Sequence, residues 1–280
     1  MFSLNLEELP IPTVHKYLLG AIGPRPICFA STIDKNGNRN LAPFSFFNVF
    51  SANPPIVIFS PANSGRTGEP KHTLLNVKEV PQVVINIVNY DMVYQMSLAS
   101  SPYAKEIDEF VKTGFTPLES EVVKPFRVKE SPVQMECEVI EIKELGKGGG
   151  AGNLVICLVK KIHIEESILD DNKFIDQEKI DLVARMGGDW YCRAHNNALF
   201  ELEKPLTTCG IGIDSLPSHI KHSNILTGNH LGQLGNIEEL PSKEYIEEVK
   251  EKYKDMNNKE IHAIELLNQK LSVEALALLW

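Results

Sequence analysis

No apolar run in this 280-residue chain approaches the roughly 18 to 20 residues needed to span a bilayer. The amino terminus has none of the basic, apolar and small-residue order of an export signal, so a cytoplasmic location is expected and no membrane partner. Cysteine is scarce: Cys28, Cys137, Cys157, Cys192 and Cys209 are scattered, odd in number and never paired as CxxC. That spacing argues against a disulfide frame or a zinc site and favours small buried hydrophobes. Positive charge is also in deficit, with 28 Lys and Arg against 37 Asp and Glu for a net charge of −9, which argues against nucleic acid as a partner. His219, His222 and His230 lack a nearby carboxylate or cysteine to complete a ligand set, so no metal is expected. The glycine fingerprint GxGxxG of a dinucleotide-binding domain is missing, as are internal repeats and low-complexity tracts.

What is present is the composition of a globular protein with a real core, 43% hydrophobic and 23% charged. The length suits a core domain with a substantial extension. The first ninety or so residues are rich in strands. Ile27 to Ile33 reads as one, and Asn36-Gly37 is a hairpin signal. Phe44 to Phe50 reads as a second extended segment, Ile56 to Ser60 and Gln82 to Val88 as two more. Leu74 to Val80 predicts a short helix with Thr73 near its start, and residues 91–113 predict helix, amphipathic from Tyr103 and stopped by Gly114. Val133 to Leu145 and Asn153 to Glu165 predict an antiparallel pair joined at a flexible tip, Gly146 to Gly152.

Near residue 205 the character changes to an irregular connector with Pro205, Gly210, Gly212 and Pro217, followed by helices. Residues 1–204 are therefore expected to form one domain and residues 205–280 a mostly helical extension. Ser242 and Asn258 are expected caps for helices over about 243–255 and 259–278, the second with an apolar stripe at Ile261, Ile264, Leu267, Leu271 and Ala275.

Three segments have chemical potential. Gly65 to Thr73 places Lys71 six residues after Gly65, yet Pro70 and His72 stand where a nucleotide-triphosphate loop needs glycine and a hydroxyl. What survives is a phosphate-sized set: Arg66 and Lys71 supply charge, and Thr73 supplies a hydroxyl beside the free amides of a helix start. A solvated surface loop is the alternative. Arg39 to Asn48 combines phenylalanines with small polar residues, as a wall for a flat heteroaromatic ligand would, or as plain core. Val183 to Tyr191 pairs Arg185 with two glycines and two aromatics, either a ligand-facing turn or a tight corner.

Taken in order, Gly23-Pro-Arg-Pro-Ile-Cys-Phe-Ala-Ser-Thr32, Asn40 to Asn48, Lys71-His-Thr73 and Val183-Ala-Arg-Met-Gly-Gly188 resemble the flavin reductase-like family of FMN-binding split barrels. The similarity covers about residues 10–200, and the tail resembles an extension found in a longer branch. The resemblance implies a mainly β (α+β) fold: an antiparallel split β-barrel with flanking helices, a helical C-terminal extension packed on the barrel or dimer, and FMN near a homodimer interface. It implies that Ala30, Ser31 and Thr32 with Ser45, Phe46, Phe47 and Asn48 hold the isoalloxazine and ribityl parts. Lys71, His72 and Thr73, with Arg66 beside them, would take the phosphate, although many relatives have aspartate at the position of His72. Arg185 matches an arginine that either touches flavin or braces the fold. The implied activity is NAD(P)H-dependent flavin reduction, with NADH or NADPH as donor and a monooxygenase or redox protein as partner. No catalytic side chain is assigned, because hydride transfer needs no acid or base. The alternatives are a flavoredoxin-like carrier reduced by a protein, and a non-catalytic flavin-binding or interaction protein.

Overall fold

A computed structural model of the chain describes residues 1–202 and 204–280. They form two compact units, Met1–Phe200 and Glu201–Trp280, each with its own apolar core.

The first unit is built on one seven-stranded antiparallel sheet. Its strands are β1 (Cys28–Ile33), β2 (Arg39–Phe44), β3 (Phe47–Ala52), β4 (Pro55–Phe59), β5 (Gln82–Ile87), β8 (Val133–Glu144) and β9 (Asn153–Ile164), in the order β2-β1-β5-β8-β9-β4-β3. The short pair β6 (Pro117–Leu118) and β7 (Arg127–Val128) lies outside that sheet. β2 and β3 are its two edges, yet only Ser45 and Phe46 separate them along the chain. Laid flat at about 4.8 Å per interval, these edges would stand roughly 29 Å apart. The link from Phe44 to Phe47 spans at most about 11 Å. The sheet must therefore curl onto itself, which makes a split antiparallel barrel with its seam at Ser45 and Phe46.

The same closure corrects the single extended segment expected from Phe44 to Phe50: the chain has to bend there to pass from one edge to the other, and the Ser60 amide donates to the Phe46 carbonyl at the bend, 2.8 Å. The first hairpin turns as expected, with Gly37 at φ 86° and the Asp34 carboxylate accepting from the amides of Asn36 and Asn38, both 2.9 Å.

Alternation along β1 sends Cys28 and Ala30 into the barrel with Val57, Phe59 and Ile85, and Phe29 outward against Leu41, Met96 and Phe115. Burying Phe29 and Phe59 completely is worth about 1.5–3 kcal/mol each. Cys28, Cys137 and Cys157 are core residues, and burial pushes the Cys137 thiol up to about 12. Cys192 is half-buried and Cys209 exposed, which departs from the expectation for all five.

Helices cover the barrel. α1 spans Ile11–Ala21 and α2 spans His72–Glu79. The helix expected over 91–113 is instead two short ones, α3 (Val93–Leu98) and α4 (Glu109–Thr113). Pro102 disfavours helix at Ser101, and the Asp108 side chain restarts it by accepting from the Phe110 amide, 2.9 Å. Gly114 closes α4 at φ 76°, as its position implied. The hairpin of β10 (Val183–Arg185) and β11 (Tyr191–Arg193) completes the unit.

The second unit contains α5 (Ser218–Lys221), α6 (Gly228–Gly235), α7 (Lys243–Lys252), α8 (Lys259–Asn268) and α9 (Ser272–Leu279). Ser242 and Asn258 cap α7 and α8 as expected, accepting from the amides of Tyr245 and Ile261. The helix expected over 259–278 breaks at Gln269–Leu271, where Lys270 takes φ 62°. Of the expected stripe, Leu267 and Ala275 are buried and Ile264 packs against the core, whereas Ile261 and Leu271 are exposed; Ala263, Leu266 and Leu276 complete the buried face. His219 meets the Leu279 carbonyl at 2.9 Å, His222 the Ser218 carbonyl at 2.7 Å, and His230 belongs to the α6 capping box. Among the described residues, no helix is long and apolar enough to cross a membrane.

Candidate functional site

The barrel seam opens into a cleft of about 450 Å³. Phe44, Ser45 and Phe46 come from the seam, His15 and Leu19 from α1, Met96 and Ser97 from α3, and Arg185 and Tyr191 from the β10–β11 hairpin. The His15 ring stands edge-on to Phe46 with centroids 6.4 Å apart, and the Arg185 guanidinium lies 4.6 Å from the Tyr191 ring centroid. A more polar chamber of about 360 Å³ adjoins it, and Pro43, Phe44, Lys71 and Ser100 line both. The two form one groove, apolar and aromatic at one end, charged at the other, within the size range of small-ligand sites.

The charged end is made where the loop after β4 runs into α2. Lys71 is the N-cap of α2 and makes no side-chain capping bond, and Lys71, His72 and Thr73 at this helix start line the chamber. Arg66, Lys71, His72 and Thr73 line this chamber together with Tyr103 and Glu109. Neither Arg66 nor Lys71 has an ion-pair partner among the described residues. Burial, with Lys105 and Lys71 nearby, lowers His72 from its ordinary value, so at neutral pH it offers an uncharged ring. Burial raises Glu109 from its ordinary value, against the opposing bond from the Leu41 amide.

Residues behind the wall hold it in place. Arg25 is buried, and its guanidinium donates to the Leu19 carbonyl at 2.8 Å, the Met186 carbonyl at 2.8 Å, the Ile22 carbonyl and the Ser45 hydroxyl at 3.5 Å. It thereby ties α1, the hairpin and the seam together. Burial and the neighbouring Arg185 lower it from its ordinary value. Under the charged loop, the β8–β9 tip, whose local sequence reads as a flexible turn, braces the backbone. The amides of Asn63 and Gly150 exchange bonds with the Ala151 and Asn63 carbonyls, 2.9 and 3.1 Å. A Cβ on Gly149 would stand 3.1 Å from the Ser64 carbonyl oxygen and 3.2 Å from that of Gly65.

Of the residues expected at the site, Ser45, Phe46, Lys71 and Arg185 share the main cleft, and Arg66, Lys71, His72 and Thr73 share the polar chamber. Ala30, Ser31 and Thr32 are fully buried in β1 and stand on neither wall. Thr32 acts one step behind it, its hydroxyl accepting from Asn40 and Asn76 at 3.2 Å while Asn40 also reaches the Thr73 hydroxyl at 2.9 Å. The Ser31 hydroxyl is buried with no hydrogen-bond partner among the described residues. Phe47 packs half-buried against the barrel core, and exposed Asn48 accepts from the Val49 amide on the edge strand. The sequence reading missed His15, Leu19, Met96, Ser97 and Glu109. Pro12 in a first helical turn, followed by Val14, Leu18 and Leu19 at helical spacing, was the available signal for α1.

The chain thus defines a split-barrel protein whose seam opens onto an aromatic cleft continuous with a charged chamber. Residues 21–179 match the model of the flavin reductase like domain, and the chain belongs to that family. The helical unit lies outside the matched segment. An uncharacterised protein of Aquifex aeolicus is 35% identical over 192 residues, 68% of this chain and 94% of that one. Component B of nitrilotriacetate monooxygenase from Bacillus cereus superposes with a TM-score of 0.67 at 31% identity, over 72% of this chain and 98% of that chain. The Pseudomonas fluorescens 2-nitrobenzoate 2-nitroreductase shares the fold, with a TM-score of 0.64 at 24% identity over 75% of this chain and all of that one.

Proposed function

We propose that this protein binds FMN in the seam groove and passes electrons from NADH or NADPH to an acceptor. The observation that carries the reading is the continuity of the groove: two unpaired cations and the open start of α2 lie at one end, and an aromatic cleft at the other, with Lys71 lining both chambers. These residues fit FMN. Arg66, Lys71 and the α2 amides would hold its phosphate, and Phe44, Phe46 and Tyr191 would bound its ring system. FMN, when bound, supplies the two-electron chemistry. The chain orients and shields: Leu19 and Met96 keep water from the apolar end, and Arg185 fixes a cation on the wall, where it favours negative charge in the cleft.

A homodimer is part of the proposal. The edge strand β3 leaves Val49 and Phe50 exposed at 66% and 63%, and α1 leaves Ile11 and Tyr17 exposed, apolar surface that a second copy of the chain would cover. The acceptor proposed is a partner monooxygenase or redox protein, a reading supported by the Bacillus cereus protein's being a monooxygenase component. Stopped-flow absorbance of the FMN-loaded protein under anaerobic NADH or NADPH tests it. Bleaching of the flavin band is expected. A flavin indifferent to both nucleotides but bleached by a reduced electron-transfer protein would replace the reductase reading with that of a carrier.

A further inference from the structure

A second, smaller pocket of about 310 Å³ opens beside the main cleft, between the start of α3 and the β10–β11 hairpin. Ser97 and Tyr191 line both spaces. Three tyrosine rings, Tyr90, Tyr94 and Tyr191, define its character, and the Tyr94 side chain is 82% exposed, free of any packing duty in the core. Tyrosine rings lining a pocket offer faces on which a planar heteroaromatic ring stacks. Arg185 lines the cleft beside the ring of Tyr191, which lines both spaces, and it has no ion-pair partner among the described residues. The arrangement joins an aromatic cleft, a lone cation on its wall and a tyrosine-lined pocket.

We infer that the side pocket takes the adenosine end of the pyridine nucleotide and that its acidic rim makes the protein prefer NADH to NADPH. The inference rests on the proposed reading of the main cleft, since the nicotinamide must lie there for the diphosphate to cross at Arg185. Charge decides the preference. The cation of this pocket, Arg193, is spent: it is bound in bidentate fashion by Asp181 at 2.7 and 2.6 Å, and its guanidinium lies 3.8 Å from the Tyr90 ring centroid. Asp91 adds a second carboxylate near it. Asp189, on the pocket wall, has no cationic partner among the described residues. A carboxylate beside a ribose accepts from its diol, whereas a 2′-phosphate would meet uncompensated negative charge. No such pocket was legible from the missing GxGxxG fingerprint, because the recognition is by side-chain rings and a carboxylate, not by a glycine turn.

Calorimetric titration of the full-length protein with 5′-AMP and with 2′,5′-ADP tests the pocket without any turnover. The expected result is that 5′-AMP binds, that 2′,5′-ADP binds about tenfold more weakly or worse, that Tyr94→Ala weakens 5′-AMP about tenfold, and that Asp189→Ser narrows the gap between the two ligands. Absence of 5′-AMP binding, an unchanged Kd in Tyr94→Ala, or tighter binding of 2′,5′-ADP overturns the inference. In the FMN-loaded protein, Tyr94→Ala is expected to raise KM for NADH with kcat held. Bleaching by NADH with KM unchanged in that variant refutes the pocket and leaves the reductase reading intact. Binding of 5′-AMP without bleaching by either nucleotide refutes the reductase reading and upholds the pocket as an adenylate site.

Discussion

Arg25 meets the groove only through its partners, yet three walls depend on it. Its fork of donors reaches carbonyls on α1 and on the hairpin as well as the seam hydroxyl, a geometry that the single ammonium of lysine cannot reproduce. Arg25→Lys is expected to cost about 1.5–3 kcal/mol, the worth of a hydrogen bond to a charged group, and to lower the melting temperature and weaken FMN binding together. Thermal melts with and without FMN check this, and an unaltered FMN-induced shift would contradict the positioning role. Glu136 plays the comparable part for the 119–127 loop. Its carboxylate is fully buried and accepts from the amides of Glu121, Val122 and Val123 and from the His163 ring. Burial alone would raise it, but the Glu121 and Val122 amides and His163 outweigh burial and hold it below the usual carboxylate range. A carboxyl whose folded value lies below its unfolded one contributes fully above about pH 4.3, and the contribution is lost as pH falls through the folded value. The melting-temperature gap between the parent and Glu136→Gln is therefore expected to narrow as pH drops from about 7 to about 3. A gap independent of pH would refute the assignment.

Elements matter here through what they prop. The β8–β9 tip presses its backbone against Ser64 and Gly65, so a side chain at Gly149 must push the cation-bearing loop away. Gly149→Val is expected to weaken FMN severalfold while leaving the barrel melting temperature nearly unchanged, as read by fluorescence titration and a melt. Equal affinity would show the tip to be only a turn. Legibility in the sequence follows the same physics. Strands with β-branched runs, the Asn36-Gly37 turn, the α2 start and the Ser242 and Asn258 caps are local signals, and each appears where local chemistry put it. The bend at Ser45–Phe46 is set by barrel closure, and the tip of β8–β9 gains its role from a contact with a loop more than eighty residues earlier. Neither has a local signal. The charged chamber was legible because Arg66, Lys71 and Thr73 are neighbours in sequence. That Ala30, Ser31 and Thr32 lie behind the cleft wall was not legible, because a strand buried on both faces reads like one that is half open.

At the scale of the molecule, the barrel brings together what the chain keeps apart: the α1 residues near position 15, the seam near 45, the cationic loop near 70 and the hairpin near 185 all meet at one groove. The helical unit has a core of its own, from Leu216 to Leu278. The central claim is that one ligand is held at both ends, rings in the seam cleft and phosphate at Lys71. Riboflavin carries the same rings without the phosphate, so a paired titration separates the two ends. FMN is expected to bind the parent about tenfold or more tightly than riboflavin, and Lys71→Ala is expected to remove most of that advantage while leaving riboflavin nearly unaffected. Equal affinity for the two flavins, or an FMN advantage undiminished in Lys71→Ala, would contradict the claim.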